Sequence, residues 1–151
     1  VLLYIGRINK EAAIMTESSI IVAQQFVRAI NRQDVDAIVA LMSDEHRFID
    51  ALGNVVTGSA AMRAGWTGYF RMVPDYTIAV EETYSDGPVV ILFGAAQGTY
   101  STGGALKPEN RWSTPVALRA FVEEGKVAEW RVYADNEPMR KLMAKAPQNR
   151  P

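Results

Sequence analysis

One short stretch, His46-Arg47-Phe48-Ile49-Asp50, carries the residue types best suited to acid–base chemistry. Strand side chains alternate, so His46, Phe48 and Asp50 share one face, with an ionisable group on either side of a large ring. A carboxyl in apolar surroundings resists ionisation, which brings its pKa toward the range useful for proton transfer. His46 cannot reach Asp50 along its own strand, because four residues span about 13 Å. It is the only histidine and there is no cysteine, which argues against a zinc centre and excludes a thiol nucleophile. The competing reading is that Asp50 caps a turn or pairs with an arginine, and that His46 is a packed or rim residue.

The elements that must position these residues follow from period and punctuation. Thr16–Ser19 offers caps for a first helix whose stripe is Ile20, Ala23, Phe26, Val27 and Ile30. Asp34 caps a second helix, with the stripe Val35, Ile38, Val39 and Met42. Residues 45–57 read as a strand, a Gly-Asn turn and a second short strand. Ser59 caps a third helix whose inner face, Met62, Trp66, Tyr69, Phe70 and Val73, is strongly aromatic. Pro74 ends it. The period then changes to two. Strands are predicted at Tyr76–Thr83, Val89–Tyr100, Arg111–Val122 and Val127–Tyr133, the last two joined by Glu124-Gly125. Gly94 and Gly98 predict bulges or a bend. Arg111 and Arg119 alternate with Trp112 and Leu118, so they face outward. Gln97 and Thr99 share one parity and offer neutral hydrogen bonds. A short helix follows Glu137. Three helices and then a run of antiparallel strands define an α+β fold with helices on one side of a sheet.

The 151 residues suit one domain, and 48% are apolar, enough for a proper core. A net charge of −1 gives no footprint for nucleic acid or an anionic membrane, and no run is long enough for a membrane span. Cytoplasmic residence is the plain expectation. Residues 1–14 read as an extension foreign to the domain, or else as an arm that packs on a partner subunit. Residues 15–145 read as the domain, and 146–151 as a frayed tail.

From about Ser18 to Leu142 the chain resembles the SnoaL-like branch of the nuclear-transport-factor-two superfamily. The matching pieces are Phe26…Asp34-Val35-Asp36-Ala37-Ile38, His46-x-Phe48-x-Asp50…Gly58, and Glu124-Gly125-Lys126-Val127…Trp130-Arg131-Val132-Tyr133-Ala134-Asp135. The resemblance implies a cone-shaped, mostly antiparallel mixed sheet curled on three helices over an internal cavity. It does not name a reaction, because this fold hosts isomerases, cyclases, dehydratases, epoxide hydrolases and binding modules. Ketosteroid isomerases carry a general-base aspartate where Asp50 stands. Their tyrosine and protonated acid are replaced here by Phe26 and Thr114. Epoxide-hydrolase relatives match at Asp135, but Phe93 and Ala95 replace their arginine and aspartate.

In such folds the first and last strands lie side by side and parallel. That sets His46, Phe48 and Asp50 beside Arg131, Tyr133 and Asp135, with the two carboxyls in contact. The resemblance thus implies a cofactor-free acid–base enzyme of isomerase, cyclase, dehydratase or hydrolase type, acting on a mostly apolar small molecule. Asp50 is its base and Asp135 its partner. The expected substrate contacts are His46, Phe48, Trp66, Tyr69, Phe70, Gln97, Trp112, Thr114 and Tyr133. The alternative is a non-catalytic carrier or dimeric module. No cofactor or metal is expected. A homodimer is, through an outer sheet face bearing Tyr100, Arg111, Arg119 and Phe121.

Overall fold

The computed structural model describes residues 2–146, with side chains from residue 5 onward. Six strands form one open sheet in the order β2-β1-β6-β5-β4-β3. They are β1 (Met42–Ile49), β2 (Val55–Thr57), β3 (Thr77–Asp86), β4 (Val89–Thr99), β5 (Arg111–Glu123) and β6 (Lys126–Ala134). The helices are α1 (Leu2–Asn31), α2 (Val35–Ala40), α3 (Ser59–Met72) and α4 (Glu137–Lys145). The fold is α+β. The pairing of β1 with β6 is parallel and the other pairings are antiparallel.

Helix α1 does not start at Thr16–Ser19 as the sequence predicts. It runs through that stretch from Leu2, because Lys10-Glu11-Ala12-Ala13 are good helix formers and no breaker follows them. Thr16 instead uses its hydroxyl to accept from Gly87 N at the β3–β4 turn (3.1 Å), and Ser19 Oγ donates back to the Met15 carbonyl (2.9 Å). From Ser19 onward one face of α1 is buried, including Val22, Phe26 and Ile30, whereas Ile5, Ile8, Ile14 and Met15 are exposed. The expected boundary at residue 14 is therefore a change of environment along one helix. Asp34 caps α2 as expected, its Oδ1 accepting from Ala37 N (3.0 Å). Ser59 does not cap α3. Gly58 occupies the cap position, and its N donates to the His46 carbonyl (2.8 Å), tying the start of α3 to β1. Of the predicted tail, residues 147–151 lie outside the described residues.

The bend in β4 has a steric cause. A Cβ on Gly94 would sit 1.9 Å from the Ala79 carbonyl oxygen, where β3 carries a bulge between Val80 and Glu82. A Cβ on Gly98 would sit 2.3 Å from Val73 Cγ1 at the end of α3. Only glycine lets the backbones approach so closely. The β5–β6 turn has positive φ at both Glu124 (49°) and Gly125 (73°), the geometry that suits a two-residue hairpin. The core lies between the concave sheet face and the helices, with Trp130, Phe26, Ile30, Ile38, Leu92 and Leu118 fully buried.

The parallel β1–β6 pairing is present, but its register is not the expected one. Phe48 lies opposite Trp130 and Ile49 opposite Arg131. Between Met42 and Arg47 the first strand bulges against Val127–Glu129. The register is thus displaced by three residues, and an odd displacement exchanges the faces of a strand. Trp130, Val132 and Ala134 turn inward with Phe48. Arg131 and Tyr133 turn outward, the Arg131 guanidinium lying 4.8 Å from the Tyr133 ring centroid.

Candidate ligand pocket

A pocket of about 440 Å³ opens between the concave sheet face and α3, within the range of small-molecule sites. Helix α3 supplies Met62, Gly65, Trp66 and Tyr69. The sheet supplies Phe48, Ala96, Trp112, Thr114, Val116, Leu118, Trp130, Val132 and Ala134. Asp50 and Ala51 of the β1–β2 turn, and Asn136 and Met139 at the start of α4, border it as well. These positions follow from local rules. On β5 the even-numbered residues Trp112–Leu118 alternate with exposed or half-exposed neighbours. On α3, Met62, Trp66 and Tyr69 lie four and three residues apart and share a helical face.

Aromatic rings form one continuous row. Trp66 stacks on Phe70 (5.3 Å) and meets Tyr69 edge-on (6.3 Å). Tyr69 meets Tyr76 edge-on (5.0 Å), and Tyr76 lies 6.1 Å from Trp112. Burial pushes the Tyr69 hydroxyl pKa up to about 12, and that of Tyr76 higher still, so both stay protonated at neutral pH. The indole Nε1 atoms of Trp66 and Trp112 are buried without a hydrogen-bond partner among the described residues.

The two candidate acids do not meet as a pair. Asp50 has left the strand and organises the turn. Its Oδ1 accepts from Leu52 N and Asn54 N (2.9 Å each), and its Oδ2 accepts from Asn54 Nδ2 (2.8 Å). Partial burial raises its pKa, but the Asn54, Leu52 and Gly53 donors outweigh this and hold it below the ordinary carboxyl value. Asp135 lies beyond the end of β6 and does not border the pocket. Its Oδ1 accepts from Glu137 N (2.9 Å) at the start of α4, and its carbonyl accepts from Thr114 Oγ1 (2.9 Å). The rank-for-rank contact fails for two physical reasons: the register displacement and the use of both carboxylates as local backbone acceptors.

Phe48, Asp50, Trp66, Tyr69, Trp112 and Thr114 border the pocket. His46, Phe70, Gln97, Tyr133 and Asp135 do not. His46 is fully buried behind the wall, 6.1 Å from the Phe26 ring, with Nδ1 2.7 Å from the Val127 carbonyl oxygen. That bond spans the β1 bulge, where the regular ladder is interrupted. Desolvation lowers its pKa, against the opposing pull of the Val127 carbonyl and Glu129, which favours the neutral ring donating from Nδ1. Gln97 faces away and bonds Thr77 Oγ1 (3.3 Å), and Thr99 is tied to Asp75. Phe70 backs Trp66, and Tyr100 packs against the core rather than on the outer face. Tyr76, Trp130 and Val132 are lining residues the sequence reading missed. The alternation Trp130, Val132, Ala134 against Glu129, Arg131, Tyr133 contained the signal for β6. Among the described residues no group of three or more His, Cys, Asp or Glu side chains is arranged to hold a metal ion, and no helix is long and apolar enough to cross a membrane.

The sequence matches the SnoaL-like domain over residues 23–130, and the chain belongs to that family, within the superfamily of nuclear-transport-factor-two-like folds. No curated protein matches the sequence. Among solved structures the chain is similar to a provisionally assigned SnoaL-like polyketide cyclase from Jannaschia sp. CCS1. They share 17% identity over 88% of this chain and 96% of that one, with a TM-score of 0.75. It is similar also to AclR from Streptomyces galilaeus, provisionally assigned as a hydroxylase (22% identity, 87% and 99% covered, TM-score 0.70). A third is an LEH-like epoxide hydrolase from M. tuberculosis (18% identity, 86% and 92% covered, TM-score 0.70). At these identities the likeness is one of fold. Relatives include enzymes of cyclase, isomerase and hydrolase type, so the family fixes a scaffold on which several chemistries are built.

Proposed function

We propose that the protein binds a neutral, mostly apolar small molecule in the pocket between α3 and the sheet. The observation that carries this reading is the pocket wall itself: about 440 Å³ bounded by aromatic and aliphatic side chains, with no Lys, Arg or His among its lining residues. Such a site gains from burying apolar ligand surface and offers no cation to hold an anionic ligand. Binding without acid–base catalysis is the favoured form, because both candidate carboxylates are spent on local backbone donors. An enzymatic role keeps one supporting observation, that Asp50 borders the pocket. Isothermal titration with the hydrocarbon isopropenylnaphthalene tests the main reading. It should bind, and Ala134→Phe, which fills the pocket from β6, should abolish binding while the fold is kept. No binding to the natural chain, or equal binding to the filled variant, contradicts it.

A second copy of the chain covering the convex sheet face is our proposal for assembly. That face carries exposed aromatics: Tyr84 on the edge strand β3 meets Phe93 on β4 edge-on at 5.9 Å, and Tyr133 is exposed on β6. Glu82 and Asp86 lie along β3 at one side, while Arg47 and Arg119 pair with Glu129, and Arg131 lies opposite Arg119, at the other. A two-fold axis through the centre brings the acidic side of one copy onto the basic side of the other. Sedimentation should show a dimer that Phe93→Glu dissociates. A monomer at micromolar concentration refutes it.

A further inference from the structure

We infer that the hydroxyl groups of Tyr69 and Tyr76 anchor the ligand by donating to a neutral oxygen on it, so that the ligand is an apolar ring compound bearing a carbonyl or hydroxyl group. This rests on the ligand-binding reading above and names the class of ligand.

Both residues border the pocket, and neither hydroxyl has a hydrogen-bond partner among the described residues. Tyr84, by contrast, gives its O–H to Glu82 Oε2 on the far face of the sheet. The two phenol oxygens also differ from the indole nitrogens beside them. Trp66 Nε1 and Trp112 Nε1 are sealed within the wall, as His46 Nε2 and Arg131 Nε are within theirs, and neither phenol oxygen belongs to that sealed and unpaired set. Both tyrosines are half-buried. Tyr76 stands between Tyr69 (5.0 Å) and Trp112 (6.1 Å), which are wall residues themselves, so the pocket is the open space beside it.

The pair is held in place by the chain. Tyr69 is fixed on α3, and its ring meets that of Tyr76 edge-on. Beyond Pro74, Tyr76 N donates to the Val73 carbonyl (3.1 Å) and closes the turn. Asp75 ties that turn to β4, accepting from Thr99 N (2.6 Å) and Thr99 Oγ1 (2.7 Å). Donors fixed in advance lose little freedom on binding. Burial keeps both phenols protonated at neutral pH, so each has a proton to give.

Their oxygens, and Thr114 Oγ1, whose proton goes to the Asp135 carbonyl, can also accept. A ligand carbonyl can therefore accept here, and a ligand hydroxyl can accept and donate. A hydrocarbon covers the two O–H groups, takes them out of water and returns no bond. No Lys, Arg or His lines the pocket, so the oxygen that meets the phenols is neutral and not a carboxylate.

The test uses three probes on one naphthalene frame: acetonaphthone, the secondary alcohol formed by reducing it, and isopropenylnaphthalene. Each is titrated calorimetrically into the full chain. At least one oxygen probe should bind about tenfold or more tightly than the hydrocarbon, and the tighter of the two names carbonyl or hydroxyl. The double variant Tyr69→Phe/Tyr76→Phe keeps both rings and removes both donors. It should reduce that preference to less than about twofold and leave hydrocarbon affinity within about twofold. Its Tm should stay within about 2 °C of the natural chain, because no bond within the chain is lost. Equal affinity of all probes for the natural chain overturns the anchor and leaves the pocket reading intact. Failure of every probe to bind overturns both. A preference that persists in the double variant overturns the anchor. So does a double variant that melts far lower or does not fold, since the hydroxyls would then serve the fold.

Discussion

The mouth of the pocket and its inner wall handle polar groups in opposite ways. At the mouth, Asp50 accepts three hydrogen bonds from residues within four positions of itself, and nearby Asp135 holds the first turn of α4. On the wall, Trp66 and Trp112 bury indole N–H groups that have no partner among the described residues. Acids that look catalytic in the sequence thus accept hydrogen bonds from their own turns, while aromatic residues that look like core form the pocket wall. A carboxylate beside free backbone donors is consumed by them, because the bonds form locally at little entropic cost. An indole on a concave surface has no such neighbours.

The largest expected effect breaks the wall. Gly94→Ala places a methyl group against the Ala79 backbone at the bend of β4, close to Ala96 in the pocket lining. It should lower Tm by roughly 6–12 °C, corresponding to about 3 kcal/mol of overpacking, and should weaken binding of isopropenylnaphthalene in calorimetry. A melting curve matching the natural chain refutes the close approach.

A smaller effect breaks the mouth. Asp50→Ala removes the acceptor of the 50–54 turn. It should cost about 1 kcal/mol, or ~2–4 °C in Tm, and leave probe affinity within about twofold. An unchanged Tm coupled to lost affinity would make Asp50 a ligand contact instead of a turn residue.

The smallest effect concerns His46, whose buried Nε2 has no partner among the described residues and which does not border the pocket. Its folded pKa lies below the ordinary value near 6.5, so as pH falls through that value the unfolded chain takes up the proton first. The contribution of neutral His46 is present above about pH 6.5 and is lost as pH falls below it. Tm should decline between about pH 7.5 and 5.5, and the decline should shrink in His46→Asn, which keeps a donor near the Nδ1 position. An equal decline in the variant assigns the pH dependence to other groups.

Most of the fold was legible in the sequence. Apolar periodicity gave α2, α3 and strands β3–β6, and the Glu124-Gly125 turn and the glycine bend arose where those residues predict them. The start of α1 was not, because caps at Thr16–Ser19 are equally at home inside a helix whose side chains find other partners. The candidate site was only partly legible. Helical and strand period placed Trp66, Tyr69 and Trp112 on inner faces, the resemblance to a cone fold made those faces a cavity wall, and they border the pocket. Tyr133 and Asp135 were placed by matching the ends of two strands, and the β1 bulge at Ser43–His46 defeats that match. A bulge adds residues without changing composition, so nothing in the apolar pattern of β1 marks it. The alternation within β6 was the better guide, because burial of one face fixes parity whatever the register.

Nuclear magnetic resonance of the indole N–H and carboxyl carbon signals, recorded as isopropenylnaphthalene is added, sets the wall directly against the mouth. The chain has 3 tryptophans, so the indole region can be assigned by single substitutions. The Trp66 and Trp112 indole signals should shift as the bound aromatic probe lies against their rings, while the Asp50 carboxyl signal stays in place. Movement of the Asp50 carboxyl with both indole signals unchanged would contradict the division between a structural mouth and a ligand-binding wall.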